Sequence, residues 1–198
     1  GLGGTGWIGL LALLACVALF VCTAMVYASV RFLQEWASPF TLVNYLLLGL
    51  ASGLTLAAAL AGQAAPDLVP SFGVLAVGFT VAGGISRGLS LRRNARLKPR
   101  STLQSAIGVR HPHIRQRAQG FMGSAFNLRE FFHGQAPRTL RHVKAGFLLG
   151  AFVLPVLLLA AGLQVGSPGL LAVAFGVQYL GLLAERWFFF AQANHPQN

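Results

Sequence analysis

Long apolar stretches separated by short polar ones recur along the whole chain. Five of them reach the length that a helix needs to cross the hydrocarbon core of a bilayer, about 20 residues at 1.5 Å per residue. They cover residues 7–30, 40–62, 70–89, 143–163 and 168–190. They are apolar on all sides rather than alternating, and in hydrocarbon only helices or closed barrels satisfy the backbone. The pattern predicts an all-α fold, a polytopic transmembrane helix bundle that forms a single membrane domain over residues 1–198.

The connection between the third and fourth spans, residues 90–142, is long and basic. A short helix is predicted in it, because Ser101 precedes Gln104 at capping-box spacing and Gly108 is a typical helix stop. A second helical piece, ending near Gly134, is predicted from its apolar side chains: Phe121, Met122, Phe126, Leu128, Phe131 and Phe132. So many aromatic residues favour a segment that lies on the membrane surface or against a partner. Basic residues that only hold the topology and bind anionic lipid are an equally open alternative.

The composition also indicates a membrane protein. Hydrophobic residues make up 55% of the chain and charged residues 10%, whereas a soluble domain carries about 25% charged residues. The chain begins at Gly1, and neither a basic segment nor a cleavage site precedes its first apolar stretch. We therefore expect the sequence to start inside a longer protein rather than at a signal peptide.

The basic residues are concentrated on one side of the predicted bundle. Of the 15 Lys and Arg residues, 13 lie between Arg87 and Lys144, and the other two, Arg31 and Arg186, fall at span ends on that same side. The two short connections on the opposite side contain no Lys or Arg: residues 63–69 and 164–167. By the positive-inside rule, loop 90–142 and the C-terminus are predicted to be cytoplasmic. The net charge of +11 is then mainly a topology signal, and because the basic segment has no recognised binding motif we predict no nucleic-acid partner.

Small residues at helical spacing predict close packing between the spans. Three pairs of glycines follow the G-x-x-x-G pattern: Gly49 and Gly53, Gly84 and Gly88, and Gly146 and Gly150. In lipid, such faces let two backbones approach closely, and the resulting contacts supply packing energy.

Metal and haem chemistry has little support in the predicted spans. None of the five histidines lies inside a span: His111, His113, His133, His142 and His195. No cluster has metal-ligand spacing, and Cys16 and Cys22 lie six residues apart on opposite faces of one helix. We predict that the chain holds no haem and no metal, and that its cysteines are unpaired.

Transport and intramembrane hydrolysis are also disfavoured. The chain has no G-x-S-x-G, H-E-x-x-H or Walker-type motif. Near the middle of the spans lie four hydroxyl-bearing residues, which are expected to bond to their own backbone: Thr23, Ser52, Thr55 and Thr80. Pumps and transporters usually place acidic residues or broken helices at that depth.

Ionisable and amide residues gather instead at the span ends on the basic side. They are Arg31, Gln34, Glu35, Asn44, Arg87, Glu185 and Arg186. Charged groups at such depth must pair or extend to the headgroups. Two interpretations are open: a structural belt of ion pairs, or a site for a ligand such as the headgroup of a quinol.

Glu185 and Arg186 should each need a partner on another helix, because adjacent residues on a helix do not face each other. We expect Glu185 to pair with Arg31 or Arg87, and Arg186 to pair with Glu35.

Several segments of the chain resemble the membrane anchor subunits of dimethyl sulfoxide reductase, the DmsC family. The resemblance rests on residues 31–36 (RFLQEW), 44–53 (NYLLLGLASG), 100–108 (RSTLQSAIG), 119–134 (from QGFMG to NLREFFHG) and 185–198 (from ERWFFFAQ to NHPQN). It extends over essentially the whole chain.

The resemblance implies a haem-free subunit of the bacterial inner (plasma) membrane that oxidises menaquinol in anaerobic respiration. Its partners would be an iron–sulfur electron-transfer subunit and a molybdopterin catalytic subunit that reduces an S- or N-oxide such as dimethyl sulfoxide. Family members have eight helices, so five predicted spans leave the first three unaccounted for, and no residue is carried over as catalytic. A purely structural anchor or assembly protein remains an alternative, and a small-solute transporter is a weaker one.

The predicted orientation can be tested by labelling intact cells with a membrane-impermeant thiol reagent. In a background without the native cysteines, Ser101→Cys is expected to stay unlabelled from outside, while Asp67→Cys is labelled. Labelling of both positions after the membrane is permeabilised provides the control. External labelling at position 101 would contradict a cytoplasmic loop.

Overall fold

The computed structural model describes residues 3–98, 103–114 and 136–193, and the regular structure in these ranges is helical. The helices are α1 (Gly4–Ala28), α2 (Pro39–Ala64), a 3₁₀ turn (Pro66–Leu68), α3 (Val69–Asn94), α4 (Leu103–Ile107), α5 (Pro137–Leu148), α6 (Leu154–Val165) and α7 (Pro168–Ala191). A π-helical turn, Leu149–Val153, joins α5 to α6 without a break. Five helices are long and apolar enough to cross a membrane, which confirms the predicted fold class.

The helix ends differ from the prediction mainly around the basic loop. The third span continues to Asn94 rather than residue 89, and the fourth span starts with α5 at Pro137 rather than at residue 143. Basic residues continue both helices beyond the apolar part, which hydropathy alone cannot reveal. His142, which was predicted to lie in the loop, is therefore an exposed residue of α5. The short helix α4 is followed by Gly108 at φ +72°, while the second predicted helical piece lies outside the described residues.

Two of the spans begin with the same local device, a serine followed by a proline. Ser38 accepts a hydrogen bond from the N–H of Phe40, and Ser167 accepts one from the N–H of Leu170. A proline at the first helical position loses nothing, because its missing N–H would have had no partner in the helix. Gly166, at φ +66°, ends α6 in the left-handed conformation that glycine adopts without strain.

Four of the spans form a bundle, and α1 lies outside it. In the bundle, α2 packs against α3 and α7, while the α5–α6 helix packs against the same two from the other side. Helices α3 and α7 are therefore diagonal partners that face each other across the bundle axis. α1 packs mainly on α2, and Ala24 is its one buried residue.

Two apolar clusters fill the bundle at different heights. The first, nearer the basic side, consists of Leu48, Leu91, Phe147, Ala151, Phe152 and Phe188. The second, nearer the opposite side, consists of Ala59, Ala76, Leu159, Leu171 and Ala174. We refer to them as the upper and lower apolar clusters.

Glycine contacts allow the close approach that the sequence predicted, but only one member of each predicted pair takes part. A Cβ added at Gly49 would meet the ring of Phe20, whereas one added at Gly53 would meet nothing within 4 Å. Gly150 and Gly84 likewise face neighbouring helices, while Gly146 and Gly88 do not. The tightest contact is the backbone of Gly150 and Ala151 against Gly181, a residue outside the predicted pairs.

The Gly181 contact should be sensitive to a single methyl group. In Gly181→Ala the new Cβ would overlap backbone atoms, which cannot rotate away, so the helices must separate. Overpacking of this kind costs roughly 1–3 kcal/mol. We expect a lower unfolding midpoint in detergent, measured by circular dichroism or proteolysis.

Gly176→Ala is the matched control for this substitution. It lies on the same helix, but an added Cβ there would meet nothing within 4 Å. Equal midpoints for the two variants would show that the backbone contact is not needed.

Candidate functional site

Polar side chains of α3 and α7 meet across the bundle axis at two levels. Thr80 and Arg87 lie seven residues apart on α3, and Gln178 and Glu185 lie seven residues apart on α7. Seven residues are close to two helical turns, so each pair occupies one face of its helix. Gln178 Nε2 donates to Thr80 Oγ1 at 3.0 Å, and Arg87 Nε lies 2.7 Å from Glu185 Oε1. All four side chains are buried.

Glu185 binds a second guanidinium group with its other oxygen. Arg186 Nε donates to Glu185 Oε2 at 2.6 Å, and Arg186 Nη2 lies 2.5 Å from the same oxygen. The prediction that adjacent residues could not pair was therefore wrong. The two backbone positions do point in different directions, but the long arginine side chain folds back to reach the neighbouring carboxylate. Glu35, the predicted partner of Arg186, forms no ion pair with it.

The cluster of Arg87, Glu185 and Arg186 holds two positive charges against one negative charge. The Glu185 side chain is completely buried and that of Arg87 is 1% exposed, while 28% of the Arg186 side chain is exposed. Several of its N–H groups have no acceptor among the described residues, including Arg87 Nη2 and Arg186 Nη1. The contact between Arg87 Nε and Glu185 Oε1 is a close ion pair rather than an aligned hydrogen bond. The cluster can therefore take one further acceptor oxygen or anionic group.

Further polar groups lie next to the cluster, on α2 and toward the end of α3. Ser86 Oγ donates to Asn44 Oδ1 at 2.7 Å, joining α3 to the first turns of α2. Arg87 Nη1 points to Ser90 Oγ at 3.5 Å, one turn closer to the basic side. These groups are buried, so each bond replaces an interaction with water that the interior cannot offer.

Aromatic rings from four parts of the chain pack together, and two of them lie against Arg186. This aromatic cluster consists of Tyr27, Trp36, Tyr45, Phe189 and Phe190. The Arg186 Cζ lies 4.4 Å from the centre of the Tyr45 ring and 4.8 Å from that of Phe189, within cation–π range. Trp36 stacks on Phe189 with 5.3 Å between ring centres.

Trp36 also fixes the connection between α1 and α2. Its Nε1 donates to the carbonyl of Phe189 at 3.0 Å, and its own carbonyl accepts from Thr41 Oγ1 at 2.6 Å. The aromatic cluster is thus held in place by hydrogen bonds as well as by ring contacts.

The predicted polar residues divide into two groups. Asn44, Arg87, Glu185 and Arg186 come together as described, whereas Arg31 is exposed and takes no part. The carbonyl of Gln34 accepts from Arg93 Nη1 and Nη2, both at 3.1 Å, and Glu35 has no ion-pair partner in the described part of the chain.

Sequence reasoning missed Gln178, Ser86 and Trp36. The signal for Gln178 was its spacing of seven residues from Glu185, which places both on one face of α7. Over the described residues, no group of three His, Cys, Asp or Glu side chains comes close enough to hold a metal, and Cys16 and Cys22 are free and exposed. Thr55 and Thr80 bond to carbonyls one turn back, as predicted for mid-span hydroxyls.

Comparison with known proteins identifies relatives of this chain. The family model for the DMSO reductase anchor subunit (DmsC) matches residues 5–109, just over half of the chain. A sulfite dehydrogenase subunit of Allochromatium vinosum is 52% identical over 191 residues, 96% of this chain and 59% of that protein. The chain thus spans less than two thirds of the length of this relative. No solved structure matches this chain.

Three observations point to the same family. The chain has five helices long and apolar enough to span a membrane, the family model covers more than half of the sequence, and the chain is 52% identical to a sulfite dehydrogenase subunit. The chain belongs to the DmsC family of membrane anchor subunits.

Proposed function

We propose that this chain is the membrane subunit through which a sulfite-oxidising molybdopterin enzyme passes electrons to a quinone. The observation that supports quinone binding is the cluster of Arg87, Glu185 and Arg186, with its free N–H groups and surrounding rings. The relative that is 52% identical is named as a sulfite dehydrogenase subunit, which supports sulfite as the substrate of the complex.

The chemistry of the cluster fits a quinone headgroup. A quinone offers two carbonyl oxygens, and the unpartnered Arg87 Nη2 and Arg186 Nη1 can donate to an acceptor. Its flat ring can pack against Tyr45 or Phe189, while its tail stays in lipid. Glu185 is a group that can carry a proton next to the reacting oxygen.

The proposed reaction balances as two half-reactions. Sulfite and water give sulfate, two electrons and two protons at the catalytic subunit. An iron–sulfur partner carries the two electrons to the membrane, where quinone, two electrons and two protons give quinol. In this chain the arginines orient the headgroup, and Glu185 delivers protons to it.

In a second candidate function, the same site catalyses the reverse reaction, the oxidation of a quinol. Menaquinol would be oxidised, its protons would leave through Glu185, and a molybdopterin partner would reduce dimethyl sulfoxide or a related oxide. The description of the matching family favours this reaction. Both candidates require the quinone site and both expect this segment to work without haem or metal, so the substrate of the partner distinguishes them.

The quinone site can be tested in the purified complex with Arg186→Gln. Losing charged hydrogen bonds to the headgroup costs roughly 1.5–3 kcal/mol, so reduction of a short-chain menaquinone analogue by sulfite should fall about 10- to 100-fold. Sulfite oxidation with a water-soluble dye, which bypasses the membrane subunit, should not change. Arg31→Gln removes an exposed arginine near the same end of the bundle and serves as the control.

Unchanged quinone reduction in Arg186→Gln would place the site elsewhere. A wild-type complex that does not oxidise sulfite but reduces dimethyl sulfoxide with menaquinol would establish the second candidate.

A purely structural anchor makes a different prediction for the ion pair between Arg87 and Glu185. Glu185→Met leaves the buried guanidinium of Arg87 without a counter-charge and should destabilise the bundle by about 3–5 kcal/mol. In Arg87→Met the carboxylate keeps Arg186 as its partner, so the loss should be smaller. Because Arg186 remains beside the apolar replacement, the double variant should recover most but not all of this loss. Stability can be followed by unfolding in detergent.

Quinone reduction then separates the two roles. If the pair serves only the structure, the double variant should recover activity together with stability. If the pair belongs to the quinone site, the complex should assemble but reduce quinone poorly, and this is the result that we expect.

A further inference from the structure

The polar stripes of α3 and α7 continue beyond the cluster to the basic end of the bundle. Each stripe has a member every seven residues: Thr80, Arg87 and Asn94 on one helix, and Gln178, Glu185 and Gln192 on the other. Asn94 and Gln192 stand at the helix ends, about 10 Å beyond the ion pair at 1.5 Å per residue. Polar residues thus lead from Glu185 toward the side that carries the basic loop.

The groups along this route have unfilled hydrogen-bonding capacity. Asn94 Nδ2 and Gln192 Nε2 are enclosed, yet neither has an acceptor among the described residues. Ser90 lies between the ion pair and Asn94 on α3, and its hydroxyl is 3.5 Å from Arg87 Nη1. An enclosed amide without a partner is costly, and ordered water is the usual remedy where several polar groups converge. The route therefore has the chemistry of a hydrated passage.

The opposite direction is closed by apolar packing. Gly150 and Ala151 contact Gly181 through the backbone, and Leu48 and Phe152 of the upper apolar cluster pack against the glycines of α3 that precede Arg87. Leu91 and Phe188 of the same cluster lie beside the route to the basic end. At the next polar level Gln178 Nε2 donates to Thr80 Oγ1, while Gln178 Oε1 has no partner among the described residues. This level is followed by the lower apolar cluster, so polar groups do not continue to the opposite end. A proton moving that way would have to cross the part of the upper cluster around Leu48 and Phe152 and then the lower cluster.

We propose that Glu185 exchanges protons with water only on the side of the basic loop, through a passage lined by Ser90, Asn94 and Gln192. This inference rests on the proposed quinone function and adds the side from which its protons come. When quinone takes two electrons from the partner, both protons that complete the quinol enter from the basic side. In the reverse reaction, both protons of the quinol leave to that side.

The side of proton uptake can be measured with the whole complex in phosphatidylcholine liposomes. Orientation is determined by impermeant labelling of Ser101→Cys, and a pH-sensitive dye reports the inside or the outside. The two protons released by sulfite oxidation are measured separately, with ferricyanide as an acceptor that takes electrons but no protons, and are subtracted from the signal in each compartment. After this subtraction, we expect sulfite-driven reduction of the menaquinone analogue to take its protons from the compartment that contains the basic loop. Uptake from the other compartment while quinone is reduced would overturn the passage and leave the proposed function intact. A complex that reduces no quinone would overturn both.

Variants of the passage provide a second readout in detergent solution. Asn94→Leu and Gln192→Leu should slow quinone reduction at least about tenfold, as expected when a proton relay is interrupted, without changing dye-linked sulfite oxidation. A small weak acid such as acetic acid should restore part of the rate, because it can carry protons to Glu185 in place of the missing chain. A purely structural defect would not respond to added acid.

Gln178→Leu is the matched control, since it removes a buried amide on the same stripe of α7 but two turns from Glu185 on the side away from the basic loop. It should leave both the rate and the side of proton uptake unchanged. Wild-type rates in both passage variants, or slow rates that no weak acid improves, would refute the passage.

Discussion

The carboxylate of Glu185 is completely buried and holds guanidinium groups from two different helices. In hydrocarbon an unpaired charge costs several kcal/mol, and the buried Arg87 has Glu185 as its ion-pair partner, so α3 and α7 can pack only where the two groups meet. A slip of one residue would rotate the carboxylate by about 100° and move it 1.5 Å along the axis. The pair therefore fixes both the rotation and the height of α7 relative to α3, although these helices are diagonal partners rather than neighbours.

The surrounding packing brings α3 and α7 close enough for this contact. Gly150 and Gly181 let the fourth and fifth spans touch through their backbones, which narrows the bundle beside the ion pair. The π-helical turn Leu149–Val153 lies at the same place. Pro155 follows it and cannot donate to the carbonyl of Ala151, so the local hydrogen bonding must depart from the α pattern. The wider π-helical turn and the absence of a side chain at Gly181 thus both allow the backbones of the fourth and fifth spans to touch.

Bilayer thickness made the five spans predictable, because it sets the length of any apolar helix that crosses it. The helix ends at Asn94 and Pro137 were not predictable from hydropathy, since basic residues continue the helices into water. Because a buried charge needs a partner, the sequence correctly indicated Arg87 as one of two candidate partners for Glu185. The same argument gave the wrong partner for Arg186, because the reach of a long side chain depends on the rotamers allowed by Tyr45 and its neighbours.

The second arginine separates a binding site from a structural ion pair. One guanidinium is enough to neutralise Glu185. A bundle that needed only an ion pair between two helices would gain nothing from bringing Arg186 to the same carboxylate. Placing Arg186 there adds a largely enclosed positive charge, which the aromatic rings offset only in part. Its Nη1 and the Nη2 of Arg87 have no acceptor in the described part of the chain. Such an arrangement is stable when another oxygen-bearing group completes it, and a quinone carbonyl beside a carboxylate that can carry its proton meets that need.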